Sequence, residues 1–421
     1  MRWARALTRS DSVLLLGGLL ALVAVMSRVI GFLNWSTLGP TYTAALARAY
    51  LGASNPMRRA GDSDYQLLEG DDLPWEQYRP WEAGGPLHLI NCTLNETTGG
   101  KSQVTQKDRK GMNLAMGPAA LSVAAGHHAL WEASRTVASG ILKPEGHSVF
   151  GDSRGTFAPE ALSLGQWVGI SGAAASTGMG RYSSLATSLW MGLLNIRMGY
   201  WWWSGVALQN GTVRTGLEWL LPVHTHLLEE WTARFPGSHS RHWYLSDGGH
   251  FENTAAYELV RRRLPFILLC DNGADSEREL DDLSNLVQKA RIDFAAEIRV
   301  LDTQGLQTRF QERPIPKGLG SLEDLRSPQE KAMAALAEVD YLDTKGNVES
   351  TGVILILKPT LSPRLPLDIQ AYHRVNDDFP QQTTADQFFD EAQWESYRRL
   401  GEFITLEVLG GKPGHNPAAW F

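Results

Sequence analysis

The strongest hydrophobic signal lies at the start of the chain. Val13 to Leu33 is almost wholly apolar, broken only by Ser27 and Arg28, and it follows Arg2, Arg5 and Arg9. A run of this length crosses the hydrocarbon core of a bilayer as a helix, so residues 1–36 read as one membrane segment. A signal peptide needs a small-residue cleavage site soon after its apolar core, and Val25-Met26-Ser27-Arg28 is a poor one. Arg48, Arg58 and Arg59 follow on the far side, so charge does not fix the orientation. Residues 37–83 read as a helix, Tyr42 to Leu51, that breaks at Gly52–Pro56 and runs into a polar, proline-punctuated connector.

From Gly84 onward the pattern alternates. Leu87–Leu94, Trp167–Ser171, His242–Ser246, Phe266–Cys270 and Val353–Lys358 are short and rich in strand formers, with helical stretches between several of them. Residues 84–421 therefore read as one α/β domain containing parallel pairs. Glu323–Val339, with its run of alanines, reads as a surface helix, as does Phe388–Leu400, and Leu221–Trp231 reads as a helix. Leu185–Met198 reads as an amphipathic or apolar helix. Tyr200-Trp201-Trp202-Trp203 behind it suits either a membrane interface or the cap of a core.

Composition narrows the partners. With 421 residues, 43% hydrophobic and 20% charged, the chain is a folded protein. Its net charge of −7 is spread along the sequence, with no basic patch for phosphates, which argues against nucleic acid. The two cysteines, Cys92 and Cys270, sit in apolar strand-like runs and read as reduced, structural thiols.

Chemistry concentrates in His242-Trp-Tyr-Leu-Ser-Asp-Gly-Gly-His-Phe-Glu-Asn253. A strand delivers Asp247 to its end, and Gly248 and Gly249 permit a positive φ or a close backbone approach. A plain Asp-Gly-Gly turn, with the carboxylate bonded to its own backbone, explains the same residues. His224, His226, His239, His242 and His250 crowd the region together with Asp247 and Glu252, which makes a metal-dependent hydrolase a rival. Spacing argues against it, because His224 and His226 point apart on a helix and no H-E-x-x-H signature occurs.

The block Asp247, Gly248, Gly249 and Asn253 resembles the aspartate block of patatin-like and cytosolic phospholipase A2-like acyl hydrolases. Phe266–Asp275 is similar to the buried strand and acidic turn that follow that block. Leu164-Gly-Gln-Trp-Val-Gly-Ile-Ser-Gly-Ala-Ala-Ala-Ser-Thr177 resembles the family's small-residue segment, and Phe379–Gly401 looks like the end of large bacterial membrane-associated members. The resemblance covers roughly residues 40 to 405, as the carboxyl-terminal part of the family's domain. It implies a patatin-like α/β sheet with flanking helices, incomplete at its amino-terminal side and preceded by one transmembrane helix. The implied activity is hydrolysis of phospholipid or other acyl-ester lipids by a Ser-Asp dyad, with Asp247 as base, Gly248, Gly249 and Asn253 as the active-site loop, and no cofactor or metal.

The nucleophile is less plain. Ser153 in Gly151-Asp-Ser-Arg-Gly155 matches G-x-S-x-G but lacks a strand before it and a helix after it. Ser171 in Gly169-Ile-Ser-Gly172 follows a strand-like run and is the tentative nucleophile. No Gly-Gly-Gly-x-Arg loop precedes either serine, so the nucleophile region is expected to be missing and supplied by a complementing chain, or the copy to be inactive alone. A membrane-tethered module that binds lipid or a partner without catalysis is the alternative, with Arg181 and Arg197 as contacts for a lipid phosphate.

Overall fold

A computed structural model of the chain describes residues 9–60, 66–98, 109–133, 138–145, 158–206, 213–327, 331–383 and 389–410. It is a mixed α/β fold that divides into two compact units, Met1–Phe251 and Glu252–Phe421.

The first unit is built on a seven-stranded sheet of β1 (Ile90–Asn95), β2 (Gly111–Met116), β3 (Ala120–Val123), β4 (His127–Ala133), β5 (Ala138–Glu145), β6 (Tyr200–Trp203) and β7 (His242–Asp247). The order is β5-β4-β3-β2-β1-β7-β6, and every neighbouring pair is antiparallel. The parallel pairs expected for this region are therefore absent from its described strands. β1 and β7 lie side by side, which places Cys92 opposite Asp247.

The sheet's core is aromatic. Trp167 meets Trp202 at 5.5 Å and Trp202 meets Trp243 at 5.7 Å, both edge to face. Such pairs contribute about 0.5–1.5 kcal/mol each beyond the area they bury. Trp201 and Trp202 are thus core residues, held by β6, and the interface alternative for them is set aside.

Leu164–Ser171, expected to begin a strand at Trp167, is a helix. The Ser163 hydroxyl accepts the Gln166 N–H while the Gln166 side chain accepts the Ser163 N–H, a reciprocal cap that starts the first turn. Glycines at positions 165 and 169 line one face of that helix. A Cβ at Gly169 would lie 2.1 Å from Thr43 Oγ1, so the bare glycine lets the Gly39–Leu46 helix pack against it. The expected Tyr42–Leu51 helix appears as Gly39–Leu46 followed by a wider turn over Ala47–Leu51.

The initial apolar segment forms an 18-residue helix, Arg9–Met26, with Val13, Leu14, Leu16, Leu20 and Val25 exposed. Among the described residues, no helix is long and apolar enough to cross a membrane.

The second unit holds a four-stranded sheet of β8 (Phe266–Cys270), β9 (Ala296–Val300), β10 (Ala334–Leu342) and β11 (Val348–Leu357), ordered β8-β11-β10-β9. β8 and β11 run parallel; the other pairs are antiparallel. Helices Asp281–Phe294, Leu367–Val375 and Glu391–Leu409 flank it, and Leu336, Leu355, Ile369, Phe379, Leu400 and Ile404 fill one core. The surface helix expected over Glu323–Val339 is instead the short helix Leu322–Arg326 and the start of β10, whose Ala334, Ala335 and Ala337 are fully buried. β8 lies at the sheet's edge, leaving Leu268 and Cys270 exposed; only Cys92 matches the buried-thiol expectation. Just past β8, Asp271 is buried against Lys358, whose Nζ lies 3.0 Å from Asp271 Oδ2 and 3.6 Å from Asp275.

Candidate functional site

β7 ends in a tight turn that determines how Asp247 is presented. Asp247 Oδ1 accepts the Gly249 N–H at 2.7 Å, so the turn bond foreseen as the plain alternative is present. Oδ2 makes no hydrogen bond among the described residues, and the residue as a whole is half-buried. No cation forms an ion pair with this carboxylate among the described residues. Burial pushes its pKa up to about 6 against the opposing pull of the Gly249 N–H. One oxygen is thus anchored and the other is left to accept a proton.

Neither glycine takes a positive φ. Gly248 is required by close approach, because a Cβ there would lie 2.6 Å from the Asn91 carbonyl oxygen of β1. The same oxygen accepts the Ser171 hydroxyl at 2.7 Å. Ser171 and Gly248 therefore meet at one β1 carbonyl, beside the Cys92–Asp247 pairing of β1 and β7. The Asp247 N–H also points at the Ala173 carbonyl, 3.4 Å away. No hydrogen bond joins Ser171 to Asp247, and Ser171 ends a helix rather than occupying a strand-to-helix elbow.

Tyr42 belongs to the same neighbourhood. Its hydroxyl lies 2.6 Å from the position a Gly172 Cβ would take, and its pKa is raised by burial and by the charge of Asp247. Burial first and the same carboxylate second raise the Cys92 thiol well above its usual range, so Cys92 is an inert neighbour.

His250 holds the two segments together. Its Nδ1 lies 2.9 Å from Ser246 Oγ, and its ring also bonds the Ala174 backbone. Burial lowers its pKa to about 4, despite the bond to Ala174, which keeps it neutral. Asn95 completes the clamp, donating to Ser246 Oγ at 2.8 Å and accepting the Gly180 N–H at 2.9 Å. The sequence offers His250 only within the metal-site rival that spacing argues against, and gives no site role to Tyr42 or Asn95.

The remaining residues fall elsewhere. Asn253 donates to Asp282 Oδ2 at 2.8 Å within the second unit. Ser153 lies outside the described residues. Arg197 is consumed by a buried pair with Glu230 at 3.0 Å, and Arg181 lies exposed over the Tyr182 ring, 4.6 Å from its centroid. His224 approaches Ser27 Oγ at 3.1 Å. Among known proteins, no family model, no curated protein and no solved structure matches this chain.

Proposed function

We propose that the chain carries the aspartate of a Ser-Asp lipid acyl hydrolase. Asp247 takes the proton from a serine hydroxyl as that oxygen attacks the ester carbonyl, and returns it to the departing alcohol. The observation that supports this is a strand-end carboxylate with one oxygen anchored and, among the described residues, no bond to the other and no cation beside it. Such a group is ionised at neutral pH yet more basic than an ordinary carboxylate. Ser171, bonded to the carbonyl that Gly248 approaches, is the candidate hydroxyl within this chain; a complementing chain is the other source.

We further propose that the protein works at a lipid surface. Trp35, Trp190 and Trp219 are exposed, as are Leu185, Leu193 and Leu194, alongside the apolar residues of Arg9–Met26. Exposed indoles and leucines of this kind suit a headgroup boundary.

The test is turnover of a fluorogenic lysophospholipid analogue on vesicles, by the chain alone and with a co-expressed chain bearing a Gly-x-Ser-x-Gly segment. Turnover that is lost in Asp247→Asn supports the reading, and fluorophosphonate labelling of wild type against Ser171→Ala identifies the nucleophile. Vesicle binding without turnover in either arrangement favours the non-catalytic lipid-binding module.

A further inference from the structure

A second cluster in the first unit has the chemistry of a metal centre. Glu218 comes from the helix Val213–Leu220, His226 from the helix Pro222–Trp231, and His242 opens β7. All three are buried, and one donor atom of each lies within 4.8 Å of the others. His242 Nδ1 is 3.2 Å from Glu218 Oε1, and His226 Nε2 is 3.8 Å from the same oxygen.

The far side of two of these ligands is already occupied. Glu218 Oε2 accepts Arg214 at 3.0 Å, so Oε1 faces the imidazoles. His226 Nδ1 meets Glu229 Oε2 at 3.0 Å, and Arg214 ties down Glu229 as well. Trp201 stacks on His226 at 4.1 Å and Trp203 packs edge-on to His242 at 4.9 Å, which fixes both rings. A carboxylate behind a histidine orients it for a metal and sets its tautomer.

The decisive observation is His226 Nε2. The residue is 0% exposed, and this nitrogen is fully buried with no hydrogen-bond partner among the described residues. Buried polar atoms are normally paired, so an orphan lone pair directed at a carboxylate oxygen and a second imidazole calls for a cation between them.

We propose that Glu218 Oε1, His226 Nε2 and His242 Nδ1 bind a zinc ion. Two imidazoles and one carboxylate are a borderline donor set that suits zinc, whereas calcium and magnesium favour all-oxygen cages. Ligand bonds of about 2.0–2.2 Å put neighbouring donors of a tetrahedron roughly 3.4 Å apart, close to the two spacings given above. Three protein ligands leave a fourth position for water. A cavity of about 560 Å³ that Glu218 and His242 help to line, with Trp203, Trp219, Arg28 and Arg241, gives solvent a route to it. The site shares no residue with the Asp247 turn and stands independently of the hydrolase reading.

The test uses the whole chain, stripped with a chelator and titrated with zinc against a chromophoric competitor, with cobalt(II) substituted in parallel. The expected result is one zinc per chain, tetrahedral ligand-field bands with cobalt(II), and the loss of both in His226→Gln. Glu229→Gln weakens binding about 10–100-fold, the usual effect of removing such a supporting carboxylate. Asp247→Asn binds zinc as wild type does. Should His226→Gln fail to fold, Glu218→Gln keeps the shape of the side chain and still loses binding. Wild type that takes up less than one zinc per chain, or gives only octahedral cobalt bands, overturns the proposal. So does zinc affinity unchanged in Glu218→Gln and His242→Gln.

Discussion

Asp247 and Asp271 are both aspartates at the carboxyl end of a strand, one in each unit, and they differ in the charge beside them. Asp271 is buried with the Lys358 ammonium 3.0 Å away. Asp247 has a backbone N–H on one oxygen and, among the described residues, no cation on either. A buried carboxylate facing a lysine has its charge compensated, and removing the lysine leaves that charge stranded. A carboxylate desolvated without such a partner holds its proton more tightly and keeps that basicity for chemistry. Position at a strand end therefore does not distinguish these two aspartates; the neighbouring cation does.

The comparison breaks most visibly through turnover. Asp247→Asn should lower ester hydrolysis by about 10²–10⁴-fold, the usual contribution of a general base, while the fold is kept. An equal loss in Asp271→Asn, measured per folded molecule, would erase the distinction.

The converse experiment is on stability. Lys358→Met leaves Asp271 buried without its partner and should destabilise the protein by about 3–5 kcal/mol, read by urea unfolding followed in the second unit. A change within about 0.5 kcal/mol would show that the pair does not support the fold.

A smaller effect is expected at the turn. Gly248→Ala forces a methyl against the Asn91 carbonyl, which must move, costing about 1–3 kcal/mol by thermal or urea unfolding. Turnover falls with it, because the same carbonyl holds Ser171. Retained stability would mean that the close approach of β1 is not needed.

The smallest effect is the pH dependence of stability. Asp247 binds its proton more tightly folded, with a pKa of about 6, than unfolded, where carboxylates titrate near 4. Its contribution is therefore full below about pH 4 and lost as pH rises through about 6. Asp247→Asn should gain stability relative to wild type between pH 4 and pH 7, measured as the difference between the two melting curves; a constant difference across that range contradicts this.

Several of these features were legible in the sequence. Phe266–Cys270 is a strand with the expected bounds, because a short apolar run between Pro265 and an Asp-Asn-Gly turn leaves little choice. Asp247 at a strand end was equally plain. The alanine-rich Ala332–Ala337 was misread because helix propensity is a weak prior: small side chains also fill the tight centre of a sheet, which is where β10 lies. Trp167–Ser171 was misread from strand-forming residue types, although Ser163-x-x-Gln166 was a helix-start signal present in the sequence. The antiparallel direction of the first sheet rests on β2 to β5, short strands whose alternation is too weak to stand out. Tyr42, Asn95 and Glu218 reach their partners through long-range packing, which no local pattern records.

Asp247 carries a carboxylate of raised pKa with no cation beside it among the described residues, and its own titration tests this without reliance on any substrate. The side-chain carboxyl carbon, observed by NMR in carbon-13-labelled aspartate protein and assigned by its loss in Asp247→Asn, should titrate at about 6. Titration near 4 or below would show a carboxylate stabilised by a partner, and would contradict the account.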